Sequence, residues 1–176
     1  MRGNVASVNE RSAAPGALAL VESLVNTLDI ETGHDSLDTA DGRARFGVAE
    51  KELAEARELR ESLRAALLAH AGHRPHREVT PLGELLSRVP LYVAVDERDG
   101  SAGFAAPAAG APLLTRIAAA VAEALVAGTW TRLKACEAET CHWAYYDRSP
   151  AGRGRWCSMQ VCGARAKMRR YRAKEG

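Results

Sequence analysis

The chain has 176 residues, enough for one ordinary hydrophobic core plus a small appended module, and is 47% hydrophobic and 26% charged. That balance excludes a disordered chain, and the longest uncharged stretch, residues 100–115, contains Pro107 and Pro112, which excludes a membrane-spanning helix there. The net charge of +2 is unevenly spread: residues 1–130 carry 13 Lys/Arg against 18 Asp/Glu, and residues 131–176 carry 11 against 4.

Residues 1–16 are polar and aperiodic and read as a loose arm. Leu18, Val21, Leu24, Val25 and Leu28 recur at helical spacing, which predicts a helix over 17–27. Residues 29–47, rich in Asp, Gly and Thr, read as loop. Leu53, Ala56, Leu59, Leu63, Ala66 and Leu67 then mark one face of a long helix over 48–70. Its Glu and Arg residues are expected on a water-facing surface, and His70, His73 and His76 at a solvated end, because Pro75 breaks the helix that would align them. Thr80-Pro81 reads as an N-cap and first-turn proline opening a short helix to Arg88. Segments 91–95 and 102–106 suggest a β-hairpin around Asp99-Gly100, and Pro112 opens an apolar helix over 113–127 closed by Gly128.

Beyond residue 130 the chain changes character. All four cysteines lie there, at 136, 141, 157 and 162, in the pattern C-x4-C-x15-C-x4-C. Structural zinc takes four ligands at tetrahedral corners and thiolates suit it, so Cys136, Cys141, Cys157 and Cys162 are the expected ligands of one structural Zn²⁺. Paired disulfides would need an oxidising compartment, and nothing in the chain resembles a secretory signal, so a cytoplasmic setting is expected. A dithiol oxidoreductase would show a tighter C-x-x-C. His142 is an alternative ligand adjacent to Cys141. The linker between the cysteine pairs supplies Trp143, Tyr145, Tyr146 and Trp156, read as a miniature core with stacking on bases the alternative, and the turn residues 147–152. A strand, a turn and a returning strand ending at Trp156-Cys157 fit its length, and the residues after Cys162 favour helix.

Cys157-Ser158-Met159, Cys162-Gly163-Ala164-Arg165-Ala166-Lys167, Arg169-Arg170-Tyr171-Arg172, Asp147-Arg148-Ser149 and Arg155-Trp156 closely resemble the CGNR zinc-finger proteins of bacteria. Asn26-Thr27 after the first helix resembles the start of the ABATE domain that precedes that finger. The resemblance implies a stress-induced transcription regulator with a zinc-bearing, DNA-binding finger and an N-terminal domain of unknown input. One departure stands out: the family's Asn is Ala164 here.

Arg165, Arg169 and Arg172 share one face of the terminal helix, with Lys167, Arg170 and Lys174 on a neighbouring stripe and Arg153 and Arg155 in the expected hairpin. Such density suits phosphate contacts on duplex DNA, and arginine also reads guanine edges. No P-loop, dinucleotide-binding or nucleophile-elbow motif appears, and a closed four-cysteine cage leaves no open metal position, so catalysis is not expected. The expected architecture is a mostly helical α+β domain with a small hairpin (17–130), then a treble-clef-like finger (131–176) with a terminal basic helix. The expected partners are DNA, a second copy, and a small-molecule or protein signal at the N-terminal domain, with no membrane. Two rival readings are a zinc-stapled module binding an acidic protein, and a ligand-binding N-terminal domain with an accessory finger. The acidic residues of the long helix are a further candidate surface for masking the basic helix.

Overall fold

The computed structural model of the protein describes residues 13–105 and 107–175, so most of the arm expected over 1–16 lies outside the described residues. Its last part is packed: Ala14 is buried and its N–H donates to the Glu22 carboxylate at 2.7 Å.

Helix α1 (Leu18–Val25) turns Leu18, Val21, Leu24 and Val25 inward, as the spacing predicts. The segment read as loop over 29–47 is more ordered than expected. A bridge joins Leu28 to Asp35, Asp35 caps a turn of 3-10 helix over Ser36–Asp38, and Thr39 caps the short helix α2 (Ala40–Ala44). Glycine is required within α2, because a Cβ on Gly42 would lie 1.8 Å from the Ser36 carbonyl oxygen.

Helix α3 (Leu53–His70) begins after a 3-10 turn over Glu50–Glu52 and is the centre of the fold. Its apolar face packs as predicted, but its charged face departs from expectation: Arg60, Glu61, Ser62 and Arg64 are buried. They are buried because they are paired. Arg60 reaches Asp35 at 2.8 Å, Thr27 at 3.0 Å and Glu61 at 2.8 Å, while Arg64 binds Glu61 and the Val25 carbonyl at the end of α1. His76 closes the network on Glu61 at 3.1 Å. Burial alone would raise the Glu61 pKa; the bonds from His76, Arg64 and Arg60 overcome it and hold the carboxyl well below the usual range. Nor is the histidine segment a solvated end: the His70 ring bonds the Leu133 carbonyl at 2.7 Å and meets Trp130 edge-on at 4.9 Å.

Helix α4 (Leu82–Leu86) starts at Pro81 without a side-chain cap, since the Thr80 hydroxyl, expected to cap it, donates to Glu58 instead. Strands β1 (Val93–Val95) and β2 (Ala102–Phe104) form the expected antiparallel hairpin. Helix α5 (Leu113–Val126) follows Pro112 and buries Ile117, Ala120, Val121 and Ala124. No helix among the described residues is long and apolar enough to cross a membrane.

A second antiparallel hairpin pairs β3 (Leu133–Ala135) with β4 (Ala144–Tyr146). It joins the two parts of the chain, because Leu133, Ala135 and Ala144 belong to the same core as α1, α3 and α5. A separate small core gathers Tyr145, Trp143, Trp156 and the cysteines. The returning strand expected before Trp156-Cys157 is not present. Instead the Asp147 carboxylate takes the N–H groups of Ser149 at 3.0 Å and Gly154 at 2.7 Å, curling residues 147–154 into a compact loop. The chain ends in helix α6 (Ala164–Glu175), entered through a π-helical turn over Met159–Gly163.

Candidate metal centre and basic helix

The cysteines reach one point from two structures. Cys136 and Cys141 lie in the connection between β3 and β4, whereas Cys157 precedes the turn into α6 and Cys162 lies within that turn. The four sulfurs all lie within 4.8 Å of one another. Cys141 Sγ is 3.6 Å from Cys157 Sγ, which is 3.7 Å from Cys162 Sγ. These separations are too long for disulfides, whose S–S bond is about 2.05 Å. They agree with the edge of about 3.8 Å of a tetrahedron built on Zn–S bonds of about 2.3 Å. The charge distribution agrees as well. Hydrogen bonds from the Cys141 and Cys157 thiols pull the Cys136 pKa far down, and the resulting thiolate raises that of Cys141. A dication at the centre removes that mutual penalty and takes all four as thiolates. The donor set therefore fits zinc, with the cage largely buried. His142 does not take the place of a cysteine: the four sulfurs converge without it, and its Nδ1 lies 3.0 Å from the Cys136 carbonyl.

The surroundings of the cage are built by residues whose contacts were not legible in the sequence. Lys134 and Asp147 form a buried ion pair at 2.9 Å, and Arg132 donates to carbonyls of the 147–150 loop. Burial would raise the Asp147 pKa, but bonds from Ser149, Lys134 and Gly154 hold it well below the usual range. A Cβ at Gly154 would lie 2.8 Å from Asp147 Oδ1, so a larger residue there must displace a carboxylate that Lys134 and two backbone N–H groups hold in place. Ser158 accepts the Val161 N–H and so caps the turn into α6. Position 164, exposed at the start of α6, is thus not needed for capping, and the Ala164 departure leaves the helix start intact.

The outer edge of β4 is tied to α1. In the β3–β4 ladder the Cys136 N–H reaches the Trp143 carbonyl and the Asp147 N–H the Arg132 carbonyl, so Ala144 and Tyr146 point their backbone groups away from β3. The Asn26 side chain meets both groups of Ala144, donating to its carbonyl at 2.9 Å and accepting its N–H at 2.7 Å. Glu22, one turn earlier, accepts the Tyr146 N–H. Two side chains at i and i+4 on α1 act here as a surrogate strand.

The residues expected to meet nucleic acid divide into two groups. Arg155 is ion-paired with Glu137 and packs over the Trp156 ring at 5.2 Å. Arg165 binds Glu31 at 2.9 Å, a contact with the 29–34 loop and not with the glutamates of α3 where masking was expected. Lys167, Arg169, Arg170 and Arg172 are exposed on α6 and make no ion pair among the described residues. The metal ligands could be read from spacing; Asn26 and Asp147 lie in stretches that carry the family resemblance, but nothing in the sequence signals the contacts they make.

Two family models match the chain in succession. Residues 8–128 match the ABATE family, described as "Putative stress-induced transcription regulator", and residues 132–175 match the CGNR zinc finger. No curated protein matches the chain.

Proposed function

Because the chain belongs to the ABATE family and carries a CGNR zinc finger at its C-terminal end, we propose that it is a stress-responsive, zinc-dependent regulator that binds duplex DNA through α6. One observation carries this reading: five cations of α6, Lys167, Arg169, Arg170, Arg172 and Lys174, are exposed and outside any ion pair among the described residues, on a helix rooted in the cysteine cage and with no acidic residue before Glu175. Fixed cations on a rigid mount release counterions from phosphates on binding, and α-helical width suits the major groove. Zinc contributes by holding the root of α6, since Cys157 and Cys162 bracket the turn from which it starts. Four thiolates complete its coordination, so its part is structural and the reading includes no catalysis. Arg155 and Arg165 join the interface by exchanging Glu137 and Glu31 for phosphate. Both pairs are exposed, and such pairs are individually worth little. The cytoplasm, where DNA is reached and thiolates stay reduced, is the setting this function requires.

Met168 and Tyr171, exposed among the basic residues, are the observation that favours the rival reading, in which α6 docks on an acidic protein. Fluorescence anisotropy separates the two. The zinc-loaded full chain is expected to bind a labelled duplex of mixed sequence, and the variant carrying Lys167→Ala, Arg169→Ala, Arg170→Ala and Arg172→Ala is expected to lose that binding. A variant that keeps its fold, zinc and full duplex affinity would refute the assignment of α6.

A further inference from the structure

The β1–β2 hairpin exposes what a monomer ordinarily hides. Tyr92, Val93 and Val95 are 68%, 70% and 60% exposed, and every residue of β1 is exposed. Strand β2 is better covered, because it packs towards α5 and its Phe104 is partly buried. A two-stranded sheet is marginal on its own, and a free strand edge is a ready site for a further strand.

The ladder determines what that edge offers. The Tyr92 carbonyl accepts the Ala105 N–H at 2.7 Å and the Asp96 N–H donates to Ser101 at 2.8 Å. With Val93 opposite Phe104 and Val95 opposite Ala102, residues 92, 94 and 96 direct their backbone groups towards β2. The N–H and C=O groups of Val93 and Val95 therefore face outwards, and no proline or bulge blocks them.

We infer that β1 is a dimerisation strand, pairing antiparallel with β1 of a second copy of this chain about a two-fold axis through Ala94. That axis sets Val93 opposite the partner's Val95, and Val95 opposite the partner's Val93. Both members of each pair have outward groups, so each pair exchanges two backbone hydrogen bonds and the register is self-consistent. Opposed side chains share a face, so the valines of both copies form one apolar cluster on a four-stranded sheet. On the other face Asp96 falls opposite the partner's Tyr92, a hydroxyl donor, and no like charges meet anywhere in residues 92–96. A one-residue slip would set the outward groups of one strand against the inward groups of the other. Edge groups and side-chain faces that match their own two-fold copy, with no like charges opposed, make a second copy the occupant. The dimer carries two fingers and suits paired half-sites, but the inference stands on the hairpin and not on DNA binding.

Sedimentation of the full chain across a dilution series tests it. Wild type is expected to form a species of twice the 18.9 kDa chain mass that dissociates on dilution. Ala94 faces its own counterpart, so Ala94→Lys and Ala94→Asp should each be monomeric at concentrations where wild type is dimeric, with unchanged helical circular dichroism. Mixing the two variants should restore the dimer, since Lys then meets Asp on the axis. Wild type that stays monomeric throughout overturns the inference, as does a dimer indifferent to Ala94→Lys. Monomeric variants that fail to pair when mixed overturn the register.

Discussion

Replacing Asn26 by alanine removes both of its bonds to Ala144, two of the three that tie the edge of β4 to α1, and the consequence is large because Ala144 is fully buried. No water can take over its N–H and C=O there without opening the core. Two hydrogen bonds at about 1 kcal/mol each, with a further desolvation cost for the groups left unpaired, give a loss of about 2–4 kcal/mol. For a chain of this size each kcal/mol lowers the melting temperature by about 2–4 °C, so a fall of about 5–15 °C is expected. The hairpin also leads directly into Cys136 and Cys141, so zinc should leave the variant faster when a chelator is added. Asn26→Asp sharpens the test. It keeps an acceptor for the Ala144 N–H but faces the Ala144 carbonyl with a second oxygen, and it should be at least as destabilised as alanine at neutral pH. Thermal unfolding followed by circular dichroism, with a colorimetric zinc-release assay, measures both effects. Melting temperatures of both variants within the error of wild type, equivalent to less than about 0.5 kcal/mol, would refute the surrogate-strand account.

Metal analysis should return one zinc per chain, and Cys157→Ser should lose it; because Leu133, Ala135 and Ala144 lie in the main core, melting of the whole chain should fall with it, and a zinc-free wild type would contradict this. Gly154→Ala forces a Cβ to within 2.8 Å of Asp147 Oδ1 and should cost about 1–3 kcal/mol in a denaturant titration, whereas an unchanged midpoint would contradict the packing of that loop. Acid should destabilise the fold in two stages. His70 has its pKa lowered by burial, so its neutral form is favoured and stability begins to fall below the unfolded value of about 6.5. Glu61 and Asp147 have lowered values, so their contribution is complete above the unfolded carboxylate values of about 4 and is lost as pH falls towards the folded ones. Denaturant midpoints that stay flat from neutral pH to pH 3 would contradict both stages.

What could be read in the sequence was what depends on local spacing. The 3–4 periodicity of Leu18 to Val25 and of Leu53 to Leu67 yields helices where the chain forms them, and the cysteine spacing yields the cage. What could not be read depends on pairing across distance. Arg60, Glu61 and Arg64 look like a solvated face because hydropathy treats each charge alone, whereas Asp35, Thr27 and His76 meet them in the fold and make burial tolerable. The turn residues 147–152 suggested a hairpin of strands, and the turn is real. Its side chain Asp147, however, satisfies the Ser149 and Gly154 N–H groups that a returning strand would have used. The basic stripe of α6 was legible as charge, but the pairing of Arg155 and Arg165 with Glu137 and Glu31 was not, since Glu31 lies far away in the chain.

The proposal that α6 holds DNA is tested most directly by the salt dependence of duplex binding. Each phosphate contact contributes about 0.9 to the slope of log affinity against log salt. With Lys167, Arg169, Arg170 and Arg172 free on α6, the zinc-loaded full chain should show a slope of about −2 to −4. Alanine at all four positions should remove most of that slope together with the affinity. A slope near zero for wild type, or an unchanged slope in a variant that keeps its zinc and its helical signal, would contradict the account.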